Sequence, residues 1–184
     1  MLGSHNSLSY LKPRRLLDLF TLPWSKCQNK NIRKQYETGV RYFDIRIKLN
    51  KGNWHFVHNI VDFGIEKSDV YDYLNRVKEK VYIRVILDQR KKPRDYKEQI
   101  NSFKSHLYYL ESTYTNIIFD SAIIFWEWKE YLDPKIKVVE NHFSVKPKKW
   151  WEYILGTRFF ARKVRKENVE EINDSSMVAL KDYV

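Results

Sequence analysis

From residue 40 to residue 47 the side chains alternate, so Val40, Tyr42, Asp44 and Arg46 share one face of a strand and Arg41, Phe43, Ile45 and Ile47 the other. The first face sets a carboxylate and a guanidinium in an otherwise apolar run, which suits a solvated edge or a polar pocket. Asn50-Lys51-Gly52-Asn53 reads as a hairpin turn and Trp54 to His58 as its returning arm, with His58 on the side of Trp54 and Phe56. Ser68 is placed to cap a helix running to about Lys80, with Val70, Leu74 and Val77 along one side. Val81 to Leu87 is a strand, closed by Asp88. After Pro93, Tyr96, Ile100, Phe103, Leu107 and Leu110 recur at spacings of four and three, as on a helix covering a sheet. Ala122 to Trp128 and Ile136 to Glu140 read as apolar strands, 147–155 as a helix, 158–161 as a short strand and 178–184 as a closing strand. Strands alternating with helices predict a parallel sheet with outer helices. In a barrel of that kind His5, His58 and Asp88, all at strand ends, gather on the C-terminal side.

Size narrows the picture. The chain has 184 residues and is expected to form one domain over 1–184. A full eight-stranded βα barrel takes about 250, so a barrel here is expected to be trimmed or distorted. Only Met1 to Ser4 precede His5, so the first strand is expected to be very short or to have lost an upstream piece. The single cysteine, Cys27, excludes an internal disulfide and a cysteine-based metal cluster, and reads as a small buried residue on the first helix. No long apolar span or secretory signal is encoded, which leads to an expectation of a cytoplasmic protein or one peripheral at a membrane.

Charge adds a partner. Thirty-four basic against 23 acidic residues give +11, which favours an anionic ligand: phosphoinositide, anionic membrane or nucleic acid. Nucleic acid is the weakest of these, because no recognised binding motif occurs and core packing accounts for the aromatics. Lys148 and Lys149 next to Trp150 and Trp151 combine cations with indoles, as at the headgroup level of an anionic bilayer. The plainer alternative is a helix start with one tryptophan in the core.

The chemistry concentrates in Gly3-Ser4-His5-Asn6-Ser7, in the strand carrying Asp44 and Arg46, and at His58. Two imidazoles flanking a phosphate allow one to take a proton from an attacking hydroxyl while the other gives one to the leaving oxygen. A planar guanidinium such as that of Arg46 neutralises the phosphoryl oxygens between them, with no metal required. Glu127, Glu140 and His142 follow or end apolar runs and are further candidates for a pocket lining.

These segments resemble the X-type catalytic domain of phosphatidylinositol-specific phospholipase C in its bacterial form. The likeness is carried by Gly3-Ser4-His5-Asn6-Ser7, by Gly39-Val40-Arg41-Tyr42-Phe43-Asp44-Ile45-Arg46, by His58 after the next short strand, and by Val178 to Val184 with its Asp182-Tyr183 ending. The resemblance implies a compact TIM-type barrel of the phospholipase-C-like phosphodiesterase kind. It implies phosphoric diester cleavage through a cyclic inositol phosphate, with phosphatidylinositol or a related anionic phospholipid as substrate. His5 becomes the general base oriented by Asp182, His58 the general acid, Arg46 the phosphate-facing cation and Asp44 a further catalytic residue; Asn6, Arg84, Asp88 and Glu140 are expected to bind substrate. Arg46 stands where calcium-dependent members keep an acidic ligand, so no metal and no cofactor are expected. Asn6, where bacterial members usually have aspartate, departs from the pattern. With Asp44 and Asp88 it imitates part of a calcium site that Arg46 blocks, and it keeps open a barrel that binds inositol phosphates or anionic lipid without turnover.

Overall fold

The computed structural model describes residues 1–16, 18, 25–58, 60–89, 96–125, 128–133, 135–140 and 177–181. In chain order these form β1 (Leu2–Ser4), α1 (Ile32–Glu37), β2 (Tyr42–Asn50), β3 (Asn53–His58), β4 (Val61–Ile65), α2 (Asp69–Asn75), β5 (Val81–Gln89), α3 (Tyr96–Thr113), β6 (Ile117–Phe125), β7 (Trp128–Asp133), β8 (Lys137–Glu140) and β9 (Met177–Lys181). One sheet joins all the strands along the path β7-β6-β5-β2-β1-β9-β8, with β3 paired to β2 and β4 to β3. The run from β8 through β9, β1, β2 and β5 to β6 is parallel throughout. The remaining strands, β3, β4 and β7, are antiparallel returns. Parallel direction brings the ends of β1, β2, β5, β8 and β9 to one side, as expected. The closed barrel is not what the described residues form: no pairing among them joins β7 to β8, and the architecture is a mixed α/β sheet.

Both faces of the parallel strands are covered, as such strands require. On one face Phe43, Ile45, Ile47, Ile83, Val85 and Leu87 pack against Ile32 of α1, Val70 and Leu74 of α2, and Phe103 and Leu110 of α3. On the other Tyr42 meets Val178 and Leu180. Gly3 lies in register with both Tyr42 and Leu180 and presents no side chain, so the two meet across β1.

The alternation of 40–47 is realised in β2, and the hairpin turns where the sequence places it. Lys51 at φ 51° and Gly52 at φ 80° are both left-handed, the turn whose twist matches the flanking strands. The cover helix α3 also forms over the predicted stretch. α2 ends at Asn75 rather than Lys80, because Val77 is the last apolar residue of its buried side and Lys78 to Lys80 are exposed before β5 begins. β4 was not legible: Asp62 and Gly64 interrupt its apolar pattern, and it forms by pairing with β3. The strand expected from Ala122 to Trp128 is two, since β6 ends at Phe125 and β7 returns antiparallel from Trp128. The helix and strand expected at 147–155 and 158–161 lie outside the described residues. Among the described residues no helix is long and apolar enough to cross a membrane.

Candidate active site

The turn after β1 explains why its sequence is Gly-Ser-His-Asn-Ser. Ser4 Oγ donates to Gln35 Oε1 at 2.6 Å, and Gln35 Nε2 donates to Ser7 O at 2.8 Å. Ser7 Oγ accepts from Asp44 N at 2.9 Å and donates to Ser4 O at 2.9 Å. Gln28 Nε2 donates to the carbonyls of His5 and Lys181 at 3.1 and 2.9 Å, and His5 N donates to Lys181 O at 3.0 Å. Asn6 takes φ 46°, a left-handed conformation that asparagine tolerates better than most residues. With these backbone groups satisfied, the turn presents the His5 ring in one orientation.

Arg46 Nη2 lies 3.0 Å from His5 Nε2, and Arg46 Nη1 donates to Asp88 Oδ2 at 3.3 Å. The His5 and His58 rings stand edge to face with centroids 6.1 Å apart. Beneath them Asp44 is wholly buried. Its Oδ1 accepts from Arg84 Nε at 3.0 Å, and its Oδ2 accepts from Asn6 N at 3.3 Å and lies 3.9 Å from His5 Nε2. Burial pushes the Asp44 pKa up, but the charges of Arg84 and Arg46 outweigh it and hold the carboxyl well below its ordinary range.

Hydrogen-bond chemistry assigns the tautomers. A guanidinium only donates, so His5 Nε2 accepts. A carbonyl only accepts, so His58 Nδ1 carries the proton given to Ser25 O, and Nε2 is its free base site. Burial, then the charge of Arg46, lowers the His58 pKa well below the usual imidazole value. His58 is therefore neutral in the ligand-free site, whereas a general acid must be protonated.

The structure brings His5, His58, Arg46, Asp44, Asn6 and Asp88 together. Arg84 is placed differently. Only 1% exposed, it contacts Asp44 rather than forming pocket surface, because its β5 position is register partner to Asp44 on the inner face. Cys27 is not on a helix; its buried Sγ lies 4.0 Å from His58 Nδ1 and accepts from Asn6 Nδ2 at 3.6 Å. Glu140 ends β8 opposite Leu180, and its side chain is outside the described set. Asp182, Glu127, His142, Lys148, Lys149, Trp150 and Trp151 also lie outside the described residues. Sequence reasoning missed Ser25, Gln28 and Gln35, which carry no charge and show no periodic signal. Their roles arise from side-chain amides and a carbonyl reaching across the turn.

No family model matches the chain. A PI-PLC X-box domain-containing protein of Dictyostelium discoideum is 34% identical over 96 residues, a match taking in 46% of this chain and 13% of that protein. The chain thus spans a small fraction of the length of the curated relative it matches. Among solved structures, the phosphatidylinositol-specific phospholipase C of Listeria monocytogenes superposes with a TM-score of 0.55 at 15% identity, covering 100% of this chain and 87% of that one. The phosphatidylinositol-specific phospholipase C of S. aureus, in a structure concerned with modulation of its membrane binding, gives 0.54 at 14% identity, covering 100% and 85%. The structural likenesses are of fold. Over the matched segment the chain is similar to a PI-PLC X-box domain-containing protein, and over its whole length it shares the fold of bacterial phosphatidylinositol-specific phospholipases C.

Proposed function

We propose that the protein is a phosphoric diester hydrolase or lyase that cleaves phosphatidylinositol or a related anionic phospholipid without a metal, through a cyclic inositol phosphate. The observation that carries this reading is Arg46. Its Nε is buried with no hydrogen-bond partner among the described residues, while Nη1 and Nη2 rest on an aspartate at 3.3 Å and on a histidine. A buried donor left open at the mouth of a site fits an incoming phosphoryl oxygen.

In this reading the phosphate takes the guanidinium from His5 and Asp88, and His5 Nε2 is freed to accept the proton of the inositol 2-hydroxyl. The oxygen–phosphorus bond to that hydroxyl forms as the bond to diacylglycerol breaks, and the leaving oxygen takes a proton from His58 Nε2. An arriving anion favours a charged imidazole beside it, so binding raises the His58 pKa against the burial and the neighbouring charge that lower it. Asp182, in the closing segment, is assigned to orient His5. Lys148, Lys149, Trp150 and Trp151 are assigned to an anionic membrane surface.

Calcium does not fit the donor set. Asp44 Oδ1 is committed to Arg84 and Asp88 Oδ2 to Arg46, and a guanidinium beside the two carboxylates repels a divalent cation. Purified protein is expected to release cyclic inositol phosphate from phosphatidylinositol vesicles equally with and without excess EGTA. No release in either condition overturns the enzyme reading, and release lost on chelation but restored by calcium overturns the metal-free mechanism. A second reading, a barrel that binds inositol phosphates or anionic lipid without turnover, is favoured by Asn6 and by the neutral His58; binding without release would support it.

A further inference from the structure

The polar layer beneath the site extends beyond what proton transfer at its mouth requires. Asp44, Arg84 and Asp120 are register partners on the adjacent strands β2, β5 and β6, and they are 0%, 1% and 3% exposed. Asp120 is held from its other side: Tyr42 Oη donates to its Oδ2 at 2.8 Å and Lys135 N to its Oδ1 at 2.6 Å. Burying such charges is costly, and an apolar filling of similar volume is often no less stable, so the ionic row calls for a role besides packing.

We propose that Arg84 is the positioning residue of this site, fixing the rotation of the Asp44 carboxylate so that one oxygen is anchored below and the other meets Asn6 N–H and the His5 ring. Arg84 Nε holds Oδ1 at 3.0 Å, and Oδ2 is thereby turned toward the left-handed residue that carries the chain past His5. Asp44 also faces Arg46, which in turn touches His5, so a rotated carboxylate disturbs the base through two contacts. Arginine suits the position because its planar fork fixes direction as well as charge, which a lysine ammonium does not. Through its charge on Asp44 it also keeps that carboxylate ionised while buried. The activity part of this inference rests on the phosphodiesterase reading; the carboxylate part does not.

The test uses the full chain with ¹³C-labelled aspartate, and the variants Arg84→Lys and Arg84→Met. In the parent protein the Asp44 carboxyl signal is expected to stay that of the ionised form from about pH 4 to about pH 8. In Arg84→Met it is expected to titrate inside that window, with phosphatidylinositol turnover falling about 10²-fold and gaining a new acid limb. Arg84→Lys is expected to keep Asp44 ionised but to recover no more than about tenfold of the lost turnover, the rest depending on the direction that only the guanidinium fixes. If Arg84→Met does not fold, Arg84→Met/Asp120→Asn, which removes one uncompensated carboxylate, takes its place. An Asp44 that stays ionised without Arg84, or an Arg84→Lys variant with the full turnover of the parent, overturns the proposal. Should the parent show no turnover, the functional reading fails and the carboxylate titration alone decides the role of Arg84.

Discussion

Two arginines stand at opposite ends of the buried stretch of β2, and their surroundings differ in kind. Arg41, just before the strand, is committed to protein partners: Nε donates to Glu79 at 2.5 Å, Nη1 to the carbonyls of Tyr36 and Val40 at 2.9 Å each, and the guanidinium sits 4.1 Å from the Tyr36 ring centre. Its partner Glu79 is 62% exposed. Arg46 has a buried carboxylate at 3.3 Å, an imidazole, and one donor without a partner among the described residues. An arginine whose Nε and Nη1 are engaged by a carboxylate and two carbonyls ties together what it touches. One left incomplete at the C-terminal side of parallel strands is available to a ligand.

The sharpest way to break this contrast is at the two histidines that depend on the Arg46 end. His5→Ala and His58→Ala are each expected to lower turnover by about 10²- to 10⁴-fold, the usual contribution of a positioned proton-transfer group, with circular dichroism unchanged. Near-normal turnover in either variant would remove it from the acid–base pair. Arg46→Met follows, with an expected loss of about 10²- to 10³-fold in turnover, as for the removal of one donor that stabilises transition-state charge.

Acid stability sharpens the contrast further. Because His58 is held below the ordinary imidazole value, the unfolded chain binds a proton that the folded chain refuses once pH falls through about 6.5. Its contribution is full above that pH and is lost on acidification, with a slope of up to about 1.4 kcal/mol per pH unit. Asp44 is depressed in the carboxylate sense, so its contribution is lost only at strongly acid pH and does not obscure this window. Urea melts from about pH 7 to about pH 5 should show the slope in the parent and a shallower one in His58→Phe; equal slopes would show that His58 is charged in the folded state. The smallest effect belongs to the other arginine: Glu79→Ala removes an exposed partner and is expected to leave turnover unchanged. A clear loss of turnover there would mean that the two ends communicate.

Much of the site was readable because its residues are charged and sit at strand ends. Asp44 and Arg46 share a face by alternation alone, and His58 ends a hairpin arm whose turn is spelled by Asn50 to Asn53. Legibility failed where three-dimensional reach replaces periodicity. Arg84 carries the same charge as Arg46 but lies lower on the neighbouring strand, so register rather than residue type makes it a support instead of a contact. Gln28 and Gln35 gave no signal, since an amide looks the same in sequence whether it is solvated or, as here, ties down two strands. β4 escaped for the opposite reason: its polar Asp62 is consumed by His55 and by Gly64 N, a local arrangement that masks a strand as a loop.

The bond from Gln28 to the Lys181 carbonyl joins residues 153 positions apart, and β1 pairs directly with β9. Contacts of such high sequence separation must overcome their loop-closure entropy before they return any stability, and they form late. His5 directly follows β1, yet its backbone N–H finds its acceptor only at Lys181 of β9. The order of the His5 turn is thus tied to the docking of β9 beside β1, and a chain holding the rest of its sheet without β9 would lack the carbonyl that accepts from His5 N.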